Sequence, residues 1–154
     1  MNVEALISQL TANSQTIAVA ESLTGGLLAD ALVTVPGASK VFLGGIVSYS
    51  DSSKVNVLGL PANLLNDQGT VSAQTALAMA KLVATRFEAT FGLSTTGVAG
   101  PDPVGQSPVG EVFVAISGPG VEFAQKLQVI GSRAEIRSQA VLAALELLWK
   151  HSGK

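Results

Sequence analysis

Apolar and polar positions along the 154-residue chain repeat with two different periods. Val3, Leu6, Ile7 and Leu10 recur at helical spacing, so Val3–Leu10 is predicted as an amphipathic helix. Thr16–Ala20 predicts a first strand, and Leu23–Thr34 a helix closed by Pro36-Gly37. Val41–Tyr49 is β-rich, and its Gly44-Gly45 pair marks a bulge or a close backbone approach. Asp51–Leu58 predicts a short helix, with Gly59 past its end and Pro61 beyond. Ser72–Phe87 predicts a longer helix, in which Ser72 is placed as N-cap before an Ala-rich run. Leu93–Thr96 predicts a short strand leading into a loop rich in Gly and Pro, Gly97–Gly110. Glu111–Ser117 and Glu122–Ile130 flank Gly118-Pro119-Gly120 and predict an antiparallel hairpin. The last helix is predicted from Arg133 to Trp149, with Ile136, Ala140, Leu142, Ala143, Leu147 and Trp149 on its buried stripe. Helices alternating with strands before a closing hairpin predict a layered α/β fold on a mixed sheet, in a single domain over residues 1–154.

Composition narrows the chemistry. Hydrophobic residues make up 47% of the chain and charged residues 13%, so self-association is expected to cover part of a sparsely charged surface. A net charge of −2, without a block of Lys or Arg, disfavours nucleic acid as a partner. No apolar run approaches a membrane span, and the N-terminal segment carries an acid where a signal peptide carries positive charge, so the expected location is cytoplasmic. The absence of cysteine excludes disulfides and thiolate nucleophiles. His151 is the one histidine, expected in a solvated tail, which leaves a Ser-His-Asp triad without its imidazole. No histidine pairs with the scattered Asp51, Asp67 and Asp102, so neither a metal nor another cofactor is expected.

The densest chemistry lies in Ile17–Gly26, IAVAESLTGG: an apolar run, a carboxylate, two hydroxyls and two glycines at a strand-to-helix turn. Ser22 and Thr24 fall where unpaired N–H groups gather, poised to hold an anion or to act as nucleophiles. Helix capping without chemistry is the competing reading. In α/β folds the ligand sits beyond the carboxyl ends of the strands, which selects the loops Glu21–Gly26, Tyr49–Lys54 and Thr96–Gly110. Gly25, Gly26, Gly97 and Gly100 let the backbone approach a ligand closely. Arg133 and Arg137 share one face of the last helix and offer cationic forks for a phosphate, or else form a solvated face. The dinucleotide glycine fingerprint, the P-loop and the G-x-S-x-G elbow are all absent.

The ordered segments AESLTGG (20–26), VSYSDSSKVNVLGL (47–60), GTVS (69–72), TGVAGPD (96–102), PVG (108–110) and GSRAEIR (131–137) resemble the CinA C-terminal domain family. The likeness runs from about Val3 to Trp149 and is strongest to stand-alone members of the family, the nicotinamide-nucleotide amidohydrolases (NMN deamidases). It implies a three-layer α/β/α sandwich around a mixed sheet, assembled into homodimers or larger homo-oligomers. The implied reaction converts nicotinamide mononucleotide (NMN) and water to nicotinate mononucleotide and ammonia, in pyridine-nucleotide salvage. On this resemblance Ser22 is expected as nucleophile, Lys54 as base and Tyr49 as proton relay or as the group orienting Lys54. Substrate is expected against Glu21, Thr24, Gly25, Gly26 and Gly45 on one side and Thr96, Gly97, Ala99 and Gly100 on the other. Arg133 and Arg137 are expected at the 5′-phosphate, and N–H groups near Thr24–Gly26 or Gly97–Gly100 in the oxyanion hole. One departure stands out: Asp102–Ser107, DPVGQS, is about a residue shorter than the usual family loop and lacks its lysine. The alternatives are a non-catalytic nucleotide-binding or regulatory module and an amidase for another small amide.

Overall fold

The computed structural model describes residues Met1–Gly153. Its helices are α1 (Val3–Ala12), α2 (Leu27–Val33), α3 (Asp51–Ser53), α4 (Ala62–Gln68), α5 (Ala73–Phe87) and α6 (Arg133–Ser152). The strands are β1 (Ile17–Glu21), β2 (Phe42–Val47), β3 (Phe91–Gly97), β4 (Glu111–Gly118) and β5 (Val121–Gln128). They form one sheet in the order β2-β1-β3-β4-β5, parallel across β2-β1-β3 and antiparallel across β3-β4-β5. This is the mixed sheet expected from the alternation of elements.

Two layers of helix cover it. On one face α1, α2 and α6 pack together, and Leu6, Leu10, Leu28, Leu32, Ala144 and Leu148 bury themselves against β1, β3 and β4. On the other, α5 lies across the sheet, closing Met79 and Val83 over Ala18 and Ala20 and setting Ala76 and Ala80 against Phe113 and Ala115. Gly92 permits the close approach of α5 to β3, because a Cβ there would stand 1.9 Å from the Ala80 carbonyl oxygen. No helix among the described residues is long and apolar enough to cross a membrane.

Element boundaries follow capping chemistry. Ser72 accepts the Thr75 N–H at 3.1 Å and starts α5 where the sequence places it. Ser132 and Glu135 form a reciprocal capping box at the start of α6. Helix α2 begins later than predicted, since Ser22–Gly26 is spent on a turn in which Gly25 and Gly26 both adopt positive φ. Helix α4 is not predicted: it is one short stretch after Pro61, without a side-chain cap, held by half-buried Leu64 and Leu65. His151 is not in a frayed tail. Gln9 and Asn13 donate to Ser152 and extend α6 past Trp149, leaving the His151 ring half-buried with its centroid 6.5 Å from that of Phe123. Trp149, expected on the buried stripe, is exposed, and Ala144, Leu145 and Leu148 are buried instead.

The topology puts function at one rim. From β1 the chain moves outward to β2, then crosses back over β1 to reach β3 on the other side. The carboxyl ends of β1 and β3 therefore diverge at a switch point, where sheets of this kind leave a crevice for ligands. The start of β4 and the end of β5 share that rim, which also brings the N-terminus of α6 to it.

Candidate active site

Ser22 follows the last residue of β1, its N–H donated to the Thr95 carbonyl at 3.0 Å. The chain then closes a four-residue turn, with the Gly25 N–H donating to the Ser22 carbonyl at 3.1 Å. Glu21 anchors this turn from below. It is 1% exposed, and its carboxylate accepts the N–H groups of Gly26, Leu28 and Ala29 at 2.9–3.1 Å. A carboxylate at the N-terminus of α2 is favoured by the helix dipole and satisfies donors that would otherwise be unpaired.

Lys54 faces Ser22 across the rim. Capped by Ser50, α3 runs into a π-helical turn, Lys54–Leu58, that ends at Gly59 in the left-handed conformation. Single π turns inside helices gather at functional sites because they re-aim one side chain. Here Lys54 is turned inward and is 1% exposed, among the largest fully buried side chains of the described residues. Its Nζ donates to Ser22 Oγ at 3.2 Å and to the Ser48 carbonyl at 3.1 Å, with Asp51 Oδ1 3.9 Å away. Burial pushes the Lys54 amine below its usual range, and the nearby Asp51 carboxylate opposes that shift only in part. A lysine held toward its neutral form, in hydrogen-bond contact with a serine hydroxyl, is able to take that hydroxyl's proton.

The pair opens into a cleft of about 360 Å³ lined by segments following β1, β2 and β3 and by the start of α6. Ser22, Tyr49 and Lys54 all line it, as do Thr96, Gly97, Ala99, Gly100 and Arg133. Tyr49 is 58% exposed at the mouth, and its hydroxyl accepts from Arg133 Nη2 at 2.8 Å. The other arm of Arg133 donates to the Gly100 carbonyl. Thr96 donates its hydroxyl proton to the Thr70 carbonyl at 2.7 Å, tying the floor of the cleft to the loop before α5.

The remaining expected contacts stand outside the cleft lining. Glu21 is the buried anchor described above. Thr24 is fully buried, its hydroxyl 2.7 Å from that of Thr95. The Gly25 and Gly26 N–H groups are spent on Ser22 and Glu21. Gly45 serves packing: a Cβ there would stand 2.5 Å from a methyl of Val19. Arg137 is turned under the Ser22 turn, donating Nε to the Leu23 carbonyl at 2.9 Å and Nη2 to the Thr24 carbonyl at 2.8 Å. Residue type at a loop suggested ligand contact for each; in the structure each makes the packing and backbone contacts just described. Leu23, Asp51 and Val104 line the cleft from within the three expected loops without having been singled out, and Thr70 lines it from outside them. For Thr70 the sequence held a signal in GTVS, whose glycine and threonine precede the α5 cap.

The short Asp102–Ser107 loop folds into a tight turn in which Val104 and Ser107 exchange backbone hydrogen bonds at 2.9 and 3.1 Å. Its Val104 side chain, together with Thr70 and Val71, separates the cleft from a neighbouring hollow of about 340 Å³.

Fold and site together define an α/β/α protein that places a buried lysine against a serine at the switch point of its sheet. The chain belongs to the CinA C-terminal domain family, whose model matches residues 2–151. Among curated relatives it is 48% identical over 143 residues to a CinA-like protein of Frankia casuarinae, covering 93% of this chain and 33% of that one. A CinA-like protein of Myxococcus xanthus is 43% identical over 138 residues, 88% of this chain and 33% of that one. The chain thus spans about a third of the length of these relatives. Among solved structures, the competence/damage inducible protein CihA of Agrobacterium tumefaciens superposes with a TM-score of 0.91 at 36% identity, over 96% of this chain and 94% of that one. The competence damage-inducible protein A (ComA) of Klebsiella pneumoniae gives 0.92 at 28% identity, over 98% of this chain and 97% of that one.

Proposed function

We propose that the protein is an amidohydrolase that converts NMN and water to nicotinate mononucleotide and ammonia. The observation that carries this reading is the buried Lys54 amine 3.2 Å from the Ser22 hydroxyl at the floor of a cleft. An amide is a poor electrophile with a poor leaving group, so its hydrolysis needs a nucleophile, a proton carrier and oxyanion donors. Ser22 Oγ attacks the carboxamide carbon while neutral Lys54 takes its proton. The tetrahedral intermediate collapses by breaking the C–N bond, and the proton on Lys54 leaves with the amine as ammonia, Tyr49 relaying it at the mouth. Water, deprotonated by Lys54, then attacks the ester carbonyl and releases the acid, restoring the Ser22 hydroxyl.

Arg137 is turned onto carbonyls outside the cleft lining, whereas Arg133 lines the cleft, so Arg133 is the arginine placed to receive the substrate phosphate. Asp51 and Asp102 are the anions of the lining and Arg133 the cation at its mouth, so the phosphate is drawn to Arg133. The backbone donors of the cleft lining without an acceptor among the described residues include Leu23 N–H, next to the nucleophile, and the N–H groups of Ala99 and Gly100. Either suits an oxyanion.

The test is ammonia release from NMN by the purified protein beside Ser22→Ala. Release by the parent and loss of at least about 10³-fold in the variant are expected, since removing a member of a nucleophile–base unit costs on that order. Residual turnover near the parental level would remove Ser22 from the mechanism. NMN bound without ammonia release by the parent would favour a nucleotide-binding module.

A further inference from the structure

The Ser22 turn is held from outside by a cation. Leu23 and Thr24 are its two central residues, and both of their carbonyls receive hydrogen bonds from the single guanidinium of Arg137 on α6. Thr24 is fully buried, whereas Leu23 retains 4% exposure and lines the cleft. Leu23 and Thr24 are also the two residues of the turn whose N–H groups find no acceptor among the described residues, although those of Ser22, Gly25 and Gly26 are all paired. Buried N–H groups are nearly always satisfied, so an unpaired donor beside a nucleophile calls for a ligand atom. Each peptide group is planar and trans, so the clamped Leu23 and Thr24 carbonyls turn the N–H groups of Thr24 and Gly25 away from α6. The Ser22–Leu23 peptide just before them is held by the Gly25 N–H on the Ser22 carbonyl. Arg137 thereby fixes the orientation of the turn, and its charge polarises the peptides it holds.

Resting on the amidohydrolase reading, we propose that Arg137 is a positioning residue for acyl transfer rather than a ligand of the substrate phosphate. By fixing the two peptides that follow the Ser22–Leu23 peptide, it holds the closed Ser22 turn as a unit, so that Ser22 Oγ keeps its angle to Lys54 and the Leu23 N–H keeps its place beside the cleft for the oxyanion of the tetrahedral intermediate. The guanidinium shape is required, because Nε and Nη2 each bond a different carbonyl and an ammonium has no rigid fork to span both. Glu21 completes the arrangement from the opposite end, pairing the N–H groups that follow the turn.

Two readouts separate positioning from phosphate binding and from mere stability. One is the kcat and KM for NMN of Arg137→Gln and Arg137→Lys. The other is the rate at which Ser22 is labelled by a small fluorophosphonate, which carries no nucleotide and so needs no phosphate site. For both variants we expect kcat to fall by about 10²-fold, the scale of losing one preorganised oxyanion donor, with KM changed by less than about threefold. The labelling rate falls in parallel, and millimolar guanidinium ion restores part of it in Arg137→Gln. A raised KM with undiminished labelling would make Arg137 a phosphate ligand and overturn the proposal. Parental kcat and labelling in a variant of lowered thermal midpoint would reduce Arg137 to a structural role and overturn it equally. If Arg137→Gln fails to fold, Arg137→Lys, which keeps the charge, carries the same comparison. A parent protein that neither labels at Ser22 nor releases ammonia fails at the amidohydrolase reading, and the positioning role falls with it; a labelled, active parent with insensitive variants fails at Arg137 alone.

Discussion

Lys54 carries two opposed demands on one side chain. Burying an amine costs stability while it is charged, and the same burial supplies the neutral base that the proposed hydrolysis uses. Because its folded-state value lies below the ordinary 10.5, the unfolded chain binds the proton more readily than the folded one in the interval between the two. Stability attributable to this group therefore rises with pH through that interval and reaches its full value above 10.5. Lys54→Met should accordingly gain about 1 kcal/mol near neutrality while losing activity, and chemical denaturation should show the gain shrinking as pH rises. Under the proposed mechanism kcat/KM should climb with pH as Lys54 loses its proton. Asp51→Asn removes the carboxylate that favours the charged form, so the rising limb should move to lower pH in a pH–rate profile; a limb that stays in place would mean Lys54 is not the titrating base. At this scale the sequence was informative about residue type and poor about direction. Ser22, Tyr49 and Lys54 could be singled out because hydroxyls and an amine followed apolar runs. Nothing along the chain distinguished Arg133, which reaches the cleft, from Arg137 one helical turn later, which reaches backbone carbonyls. The direction of Glu21 was hidden for the same reason. A carboxylate at a strand end reads as polar surface until the following helix is seen folding back over it.

Among elements, strong local chemistry made boundaries legible and weak local chemistry hid them. Helix α5 was readable to its first residue from Ser72, and the β4–β5 hairpin from the Gly and Pro between its strands. Helix α4 was not, because its hold on the protein is tertiary: two half-buried leucines against Leu58 and Leu60. The inward turn of Lys54 was likewise illegible, since a π turn differs from an α turn by one residue of hydrogen-bond register. The packing of α5 on the sheet rests on Gly92, where the backbone of the helix meets that of the strand. Gly92→Ala has no flexible side chain to displace and must separate the two elements. A loss of about 3 kcal/mol in unfolding free energy is expected, at the upper end for overpacking. An effect below about 1 kcal/mol, measured by urea denaturation, would show that α5 shifts freely on β3.

For the molecule as a whole, the change from parallel to antiparallel pairing at β3 gathers every site segment at one rim. The opposite rim carries the Gly118–Val121 turn, which lies between β4 and β5 and touches Thr90 and Phe91 rather than any cleft residue. Ser22, Tyr49, Lys54, Thr96 and Gly100 all precede that turn, while Arg133 and Arg137 follow it. A backbone cut at Pro119-Gly120 would thus divide the catalytic pair from the arginines while leaving the cleft's own loops whole. Each piece would bury its apolar face only by rejoining the other, because α6 packs on β3 and β4 of the first piece and β5 pairs with β4. The two fragments, produced separately, should show no ammonia release alone and recover it on mixing. Fused to two other proteins, they would turn this hydrolysis into a read-out of whether those proteins meet.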